Sequence, residues 1–281
     1  MADGTTRSAD DLTADLARFR DVHHERRVSV NGVSWTYYAG GSGPDVLLFL
    51  PGGTGQAEAA FKSITELESH ASVLAVTYPE VRRLEELVIG CLAILDAHGV
   101  QAANVWGNSF GGMVAQLLIR QAPDRVRALA LTNSVAPDPA AAAVERRQRR
   151  FLSLLPSPIV RRMIGRGLPT TLVGLDPAQR QFWEGYLRET LLPRGKARLL
   201  TIARLSSEFH SLGWSAPQEA PAWQGRMLLL APADKSIDPA NSERLRELYP
   251  SASFSRVPLA GTAISWDLEY ARRVSAFFRA G

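Results

Sequence analysis

Val105-Trp106-Gly107-Asn108-Ser109-Phe110-Gly111-Gly112 is the stretch whose reading decides the fold. It carries Gly-x-Ser-x-Gly between an apolar run and a helix-like segment, the pattern of a nucleophile elbow. A serine at a sharp strand-to-helix turn has strained backbone angles, and glycines two places before and after it let neighbouring backbone pass closely. A five-residue match needs its context, and the context is present. Ala103 to Trp106 reads as a buried strand and Met113 to Arg120 as the helix behind it.

Outward from the elbow, strand-like and helix-like segments alternate. Asp45-Val-Leu-Leu-Phe-Leu is an apolar run suited to a strand buried on both faces, broken by Pro51-Gly52-Gly53-Thr54-Gly55. Val73-Leu-Ala-Val-Thr-Tyr-Pro is the next such strand, Val81 to His98 a helix, and Arg127-Ala-Leu-Ala-Leu-Thr another strand. Upstream, Arg27 to Val30 and Ser34 to Tyr38 flank Asn31-Gly32, a type I′ hairpin signature that predicts two antiparallel edge strands. Asp10 to Phe19 reads as a peripheral amphipathic helix with Ser8 as N-cap. The rhythm changes from Ala136 to about Trp214, which is helical, basic and punctuated by proline. It resumes with a strand at Arg226-Met-Leu-Leu-Leu-Ala, a helix at Pro239 to Leu248, a strand at Phe254-Ser-Arg-Val-Pro and a helix at Leu268 to Phe278. The order predicts an α/β protein with a mostly parallel, doubly wound sheet and an inserted helical cap. The expected divisions are residues 1–26 as helix and connector, 27–135 and 215–281 as the core, and 136–214 as the cap.

Composition bounds the function. At 281 residues the chain can bury a substantial core. No apolar run approaches the roughly 18 residues of a membrane helix, so no stable membrane insertion is expected. The N-terminal residues lack the pattern of a signal peptide, and a lone cysteine, Cys91, fits a reducing cytoplasm. Frequent alanine and arginine point to a GC-rich, bacterial source. A net charge of +4 and a pI near 9.5 are too mild to imply nucleic acid. There is no cysteine pair or His-x-x-x-His for a metal, and Pro51-Gly-Gly-Thr-Gly lacks the lysine and hydroxyl of a P-loop. Neither a metal nor a cofactor is expected.

With the elbow, the glycine-rich turn after an earlier strand and the helical insertion in order, the chain from about Arg27 onward resembles the α/β-hydrolase fold family. The resemblance implies acyl chemistry with Ser109 as nucleophile. It places one oxyanion donor at the backbone N–H of Phe110 and the other at that of Gly53. The family's acid and histidine should follow, and here the sequence departs from the pattern. Where members carry Gly-x-x-Asp followed four residues later by proline, this chain has Pro232-Ala233-Asp234-Lys235 with Pro239. Lys235 therefore holds the acid position, with Asp234 one place early. The family's Gly-His is replaced by Gly261-Thr262, and no histidine follows His210. The order of features is also similar to maspardin-like, non-catalytic members of the same fold. Shared are Ala75-Val-Thr-Tyr-Pro, Leu131-Thr-Asn-Ser and Leu248-Tyr-Pro.

A serine hydroxyl is a poor nucleophile until a base within hydrogen-bond reach takes its proton. Lys235 is one replacement, extending into the space left by Thr262 with a pKa depressed by burial, although a loop lysine pairing with Asp234 or Asp238 in solvent is the plainer reading. His210, where the cap returns to the core, is another, against an ordinary cap-core role. His23, His24, His70 and His98 read as structural. Losing a triad member still leaves roughly 10³- to 10⁴-fold catalysis from the oxyanion hole and binding.

The cap concentrates positive charge. Between Glu145 and Arg166 stand Arg146, Arg147, Arg149, Arg150, Arg161, Arg162 and Arg166, interleaved with Phe151, Leu152, Leu154, Leu155, Ile159, Val160 and Met163. A solvated face, a membrane-surface helix and a dock for an acidic or phosphorylated partner all fit. A thioester releases a thiolate that leaves without protonation, so it tolerates a missing histidine better than an amide or ester does. The expected substrate is a small acyl group, with an acidic acyl carrier protein docking on Arg146, Arg147, Arg149, Arg150, Arg161 and Arg162. Against this enzyme stands a non-catalytic protein that binds a ligand or a protein through the same pocket.

Overall fold

The computed structural model describes residues 8–172, 175–214, 223–233, 238–257 and 268–280. The strands are β1 (Arg26–Val30), β2 (Val33–Gly40), β3 (Val46–Leu50), β4 (Ser72–Thr77), β5 (Ala103–Asn108), β6 (Val126–Thr132), β7 (Arg226–Pro232) and β8 (Ser253–Val257). They form one sheet in the order β1-β2-β4-β3-β5-β6-β7-β8. β3 to β8 run parallel, and the continuous apolar sequences of β3, β4, β6 and β7 suit strands covered on both faces.

At the other end β1 and β2 form the expected hairpin. Asn31 and Gly32 take φ 50° and 79°, the positive pair a type I′ turn demands. Only β1 lies at the edge, because β2 also pairs antiparallel with β4. The sequence expectation of two edge strands is corrected to that extent. Trp35 and Tyr37 on β2 are buried, and such large side chains make a poor solvent-facing edge.

Helices α1 (Ala9–Val22), α2 (Phe61–Glu68), α3 (Leu84–Ala97), α4 (Phe110–Gln121), α9 (Pro239–Leu248) and α10 (Leu268–Arg279) surround the sheet, and two hydrophobic clusters fill its faces. Ser8 and Asp11 cap α1 reciprocally, which starts that helix where the sequence placed it. α3 begins later than expected, at Leu84, because the Glu86 carboxylate accepts from Arg82 and Arg83 N–H and fixes the first turn there.

Between β6 and β7 lie α5 (Pro139–Leu154), α6 (Ser157–Thr171), α7 (Pro177–Thr190) and α8 (Gly195–His210). Asp138 and Asp176 cap α5 and α7, each ahead of a proline suited to the first helical position. α5 packs along α8, and α7 packs on α1. At that second contact Phe61 meets Phe182 and Trp183, while Glu58 takes a bidentate pair from Arg20 and a hydrogen bond from the Tyr186 hydroxyl. The N-terminal helix thus ties the inserted helices to the sheet.

Candidate active site

The elbow is built by packing that leaves no room for side chains around Ser109. The serine sits between β5 and α4 at φ 51°, ψ −115°, a conformation that costs an L-residue about 1–3 kcal/mol and persists only under tight constraint. A Cβ on Gly107 would lie 2.6 Å from Gly111 O, and one on Gly111 would lie 2.0 Å from Leu50 O. The Ser109 N–H donates to Thr132 O at 2.8 Å, and Gly112 N–H donates to Ser109 O at 2.9 Å. Beneath it a buried polar chain joins β5 to β6. Trp106 Nε1–H donates to Thr132 Oγ1, and Thr132 Oγ1–H and Asn133 Nδ2–H both donate to Asn108 Oδ1. These bonds supply the constraint.

Ser109 itself is half-buried, and its Oγ makes no hydrogen bond among the described residues. The turn after β3 lies beside it: a Cβ on Gly52 would come within 3.5 Å of Ser109 Cβ. Gly55 N–H closes that turn onto Gly52 O at 2.8 Å, and among the described residues the Gly53 N–H has no backbone acceptor. The Phe110 N–H, first in α4, is also outside the intrahelical ladder. The Ser109 hydroxyl thus stands at the positive end of α4, against the turn that carries the Gly53 N–H. α8 lies over the turn, with Ile202 Cγ2 3.9 Å from the position of a Gly53 Cβ.

One buried residue at this turn escaped the sequence reading. Arg198 of α8 is 8 % exposed, donates through Nε to Thr54 O at 3.1 Å and through Nη1 to Tyr78 O at 3.0 Å, and has a buried Nη2 with no partner among the described residues. Burial lowers its pKa, with Tyr78 and Glu80 opposing the shift. A cavity of about 400 Å³ lined by Thr54, Gln56, Thr77, Tyr78, Arg194 and Arg198 adjoins the turn. Arg198 thus supports a loop that is only partly packed. Tyr78 in turn sets its ring edge on Phe110, with centroids 5.8 Å apart.

A family model described as the alpha/beta hydrolase fold matches residues 88–267. The chain belongs to the α/β-hydrolase fold family. It is 30% identical over 112 residues to the zearalenone hydrolase of Bionectria ochroleuca and, over the same length, to that of Cladophialophora bantiana. Each match covers 34% of this chain and 42% of the relative, so the chain spans less than half the length of these curated relatives. Among solved structures it is similar to the enol-lactonase from Burkholderia xenovorans LB400, with a TM-score of 0.71 at 16% identity, covering 90% of this chain and 100% of that one. It is also similar to a hydrolase from Pseudomonas aeruginosa PA01, with a TM-score of 0.70 at 19% identity, covering 92% and 97%. At such identities these two establish the fold alone.

Within this hydrolase fold the residues singled out by sequence fall into three groups. Ser109 and Phe110 are adjacent at the elbow, and Gly53 follows the Gly52 that lies against Ser109. Lys235, with Asp234, Gly261 and Thr262, lies outside the described residues. His210 is described, and it does not meet Ser109. Its Nδ1 accepts from Asp138 N–H at 3.1 Å, its Nε2 lies 3.9 Å from Glu145 Oε1, and the ring packs edge-on to Phe209. With its lone pair occupied at the start of α5, His210 fastens α5 to α8, which corrects the expectation of a base from the cap. Burial lowers its pKa, with Asp138 raising it and Arg244 lowering it.

Asp238, read from the sequence as a pairing partner for Lys235, accepts from Ala240 N–H at 3.0 Å as the N-cap of α9. His23 meets Glu68 at 2.7 Å, and His98 meets the Tyr37 hydroxyl at 3.1 Å. Of the cap arginines, Arg149 departs from the expected exposed set, being half-buried with a buried Nε. Among the described residues no group of three or more His, Cys, Asp or Glu side chains is placed to hold a metal, and no helix is long and apolar enough to cross a membrane.

Proposed function

We propose that the protein is a serine-dependent acyl-transfer enzyme, with Ser109 Oγ attacking the carbonyl carbon of an ester or thioester. The C–O or C–S bond to the leaving group breaks after the tetrahedral intermediate forms, its negative oxygen held by the Gly53 and Phe110 N–H groups. Water or another acceptor then releases the acyl group from the serine. One observation carries the reading: Ser109 is held at φ 51° at the start of α4 and against the turn after β3, its hydroxyl without a hydrogen bond among the described residues. A strained serine so placed is difficult to account for as a folding requirement, since a glycine would take the same φ without strain. The two zearalenone hydrolases to which part of the chain is similar support hydrolysis as the outcome.

The departure from the usual triad shapes the substrate class. No imidazole of the chain's five histidines bonds to Ser109, and none follows His210 in sequence. Lys235 is our candidate for the group that takes the serine proton. Without an imidazolium to protonate a departing alkoxide, a thiolate or another stable anion is the favoured leaving group.

Intact-mass spectrometry after exposure to a serine-directed fluorophosphonate tests the proposal. The expected result is a single adduct on the native protein and none on Ser109→Ala. An unlabelled native protein would instead support the non-catalytic reading, in which the pocket binds a ligand through an unreactive serine. Lys235→Met should slow labelling at least tenfold at neutral pH, and an unchanged rate would remove the lysine from the mechanism.

A further inference from the structure

We propose that the consecutive helices α5 and α6 present a docking surface for an anionic lipid bilayer. Three observations converge on it. The first is apolar exposure. Val144, Phe151 and Leu154 on α5 and Ile159 and Met163 on α6 make up five of the eight large hydrophobic residues exposed among the described residues, with Leu154 at 83 % and Phe151 at 59 %. Such clustering marks an interaction surface.

The second is unpaired charge. Arg146, Arg147, Arg150, Arg161, Arg162 and Arg166 are exposed, and none of them has a carboxylate partner among the described residues. Elsewhere arginines meet acids: Arg125 meets Asp96 at 2.6 Å, Arg273 meets Glu269 at 2.7 Å and Arg246 meets Glu243 at 2.9 Å. The acid that precedes the run, Glu145, is turned inward, accepting from the Ser206 hydroxyl at 2.8 Å. Among the described residues no acid pairs with these arginines.

The third is the way the two residue types share a face. Arg147, Arg150, Phe151 and Leu154 follow helical i, i+3, i+4, i+7 spacing on α5, and Ile159, Arg162, Met163 and Arg166 do the same on α6. Protein-binding patches gather apolar residues at the centre and charge at the rim. Here the two alternate along the same line. That arrangement fits a headgroup boundary, where each apolar side chain dips toward the acyl chains while the arginine beside it reaches up to a lipid phosphate. An acidic carrier protein would use the arginines but leave Leu154 and Phe151 unaccounted for.

The test is co-sedimentation of the full chain with vesicles of phosphatidylcholine alone or mixed equally with phosphatidylglycerol. Binding to the mixed vesicles, absent on phosphatidylcholine and weakened by salt, is expected. Replacing Arg147, Arg150, Arg161 and Arg162 by Gln should lower the partition coefficient at least about a hundredfold, since each basic residue near such a surface contributes about fivefold. Phe151→Ser with Leu154→Ser, which keeps every charge, should remove the binding that survives raised salt. Neutralising Arg26, Arg27, Arg82 and Arg127 should change little, and an equal loss there would reduce the effect to general basicity and overturn the proposal. Absence of vesicle binding by the native chain, or saturable capture of an acidic carrier protein in its place, would overturn it as well. Ser109→Ala should bind vesicles like the native chain, so this outcome is read separately from the serine chemistry.

Discussion

At Arg198 a charge enters the interior with no carboxylate in ion-pair contact among the described residues, and the geometry around it is specified by a missing atom. Gly55 adopts φ +61°, and a Cβ there would fall 1.2 Å from Arg198 Nη2. Gly55→Ala combines a left-handed backbone angle with overpacking, so it should destabilise the protein by about 2–4 kcal/mol in urea unfolding. In an Arg198→Ala background the same change should cost only the backbone portion, about 1–2 kcal/mol. Equal costs in the two backgrounds would show that the guanidinium does not shape the turn. This contact also shows what one sequence conceals at the residue scale. Ser109 is legible because its neighbours on both sides, Gly107 and Gly111, are close in the chain. Arg198 and Gly55 are far apart in sequence, and Arg198 reads as one more cationic residue of a basic insertion until its place in the fold is known.

Elements were legible where local chemistry ends them, as at Ser8, Asn31-Gly32 and Pro239, and less so where a distant partner decides. The junction of α5 and α8 is of the second kind. His210 closes α8, and its Nδ1 receives the Asp138 N–H that opens α5, with Arg244 paired to the Asp138 carboxylate at 2.9 Å and Glu145 facing the other ring nitrogen. Protonating Nδ1 would set two donors against each other, in a buried place and close to Arg244. Burial accordingly lowers the His210 pKa below its ordinary 6.5, and it lowers that of His98 in the same direction. The sign follows from proton counting: below pH 6.5 the unfolded chain binds protons that the folded state refuses, so stability rises with pH through that window and falls as pH drops. Glu145, raised above its ordinary 4.5 by burial, works oppositely at lower pH, where the folded state takes its proton first. The urea midpoint should therefore be steady above neutrality and decline from pH 6.5 toward 5.5. His210→Asn, whose Oδ1 can take the Asp138 N–H, should flatten part of that decline; an unchanged slope would assign it to His98 or another group.

For the molecule as a whole, the alternation of apolar runs and helical segments was enough to predict a parallel sheet, because each run had to be covered on both faces, but not the order in which its strands lie. What alternation does not reveal is how firmly the layers are joined. α3 turns Leu87, Val88, Cys91, Ile94 and Leu95 onto the sheet, all fully buried. The β2 indole of Trp35 lies where a Gly90 side chain would be, 2.0 Å from the Cβ position. The lone thiol is therefore a reporter of this joint. Burial pushes the Cys91 pKa up to about 12, which leaves almost no thiolate at pH 8 even if reagent arrives, and the thiolate is the reactive form. Reaction with a disulfide reagent then requires α3 to part from the sheet, and at this depth such opening approaches global unfolding. Native protein should label at pH 8 at least about a thousandfold more slowly than protein in denaturing urea. The rate should rise across the urea transition in step with loss of helix signal, and Gly55→Ala should shift both together. Rapid labelling in native buffer, with the helix signal intact, would show that α3 opens by itself and that the sheet does not unfold as one unit.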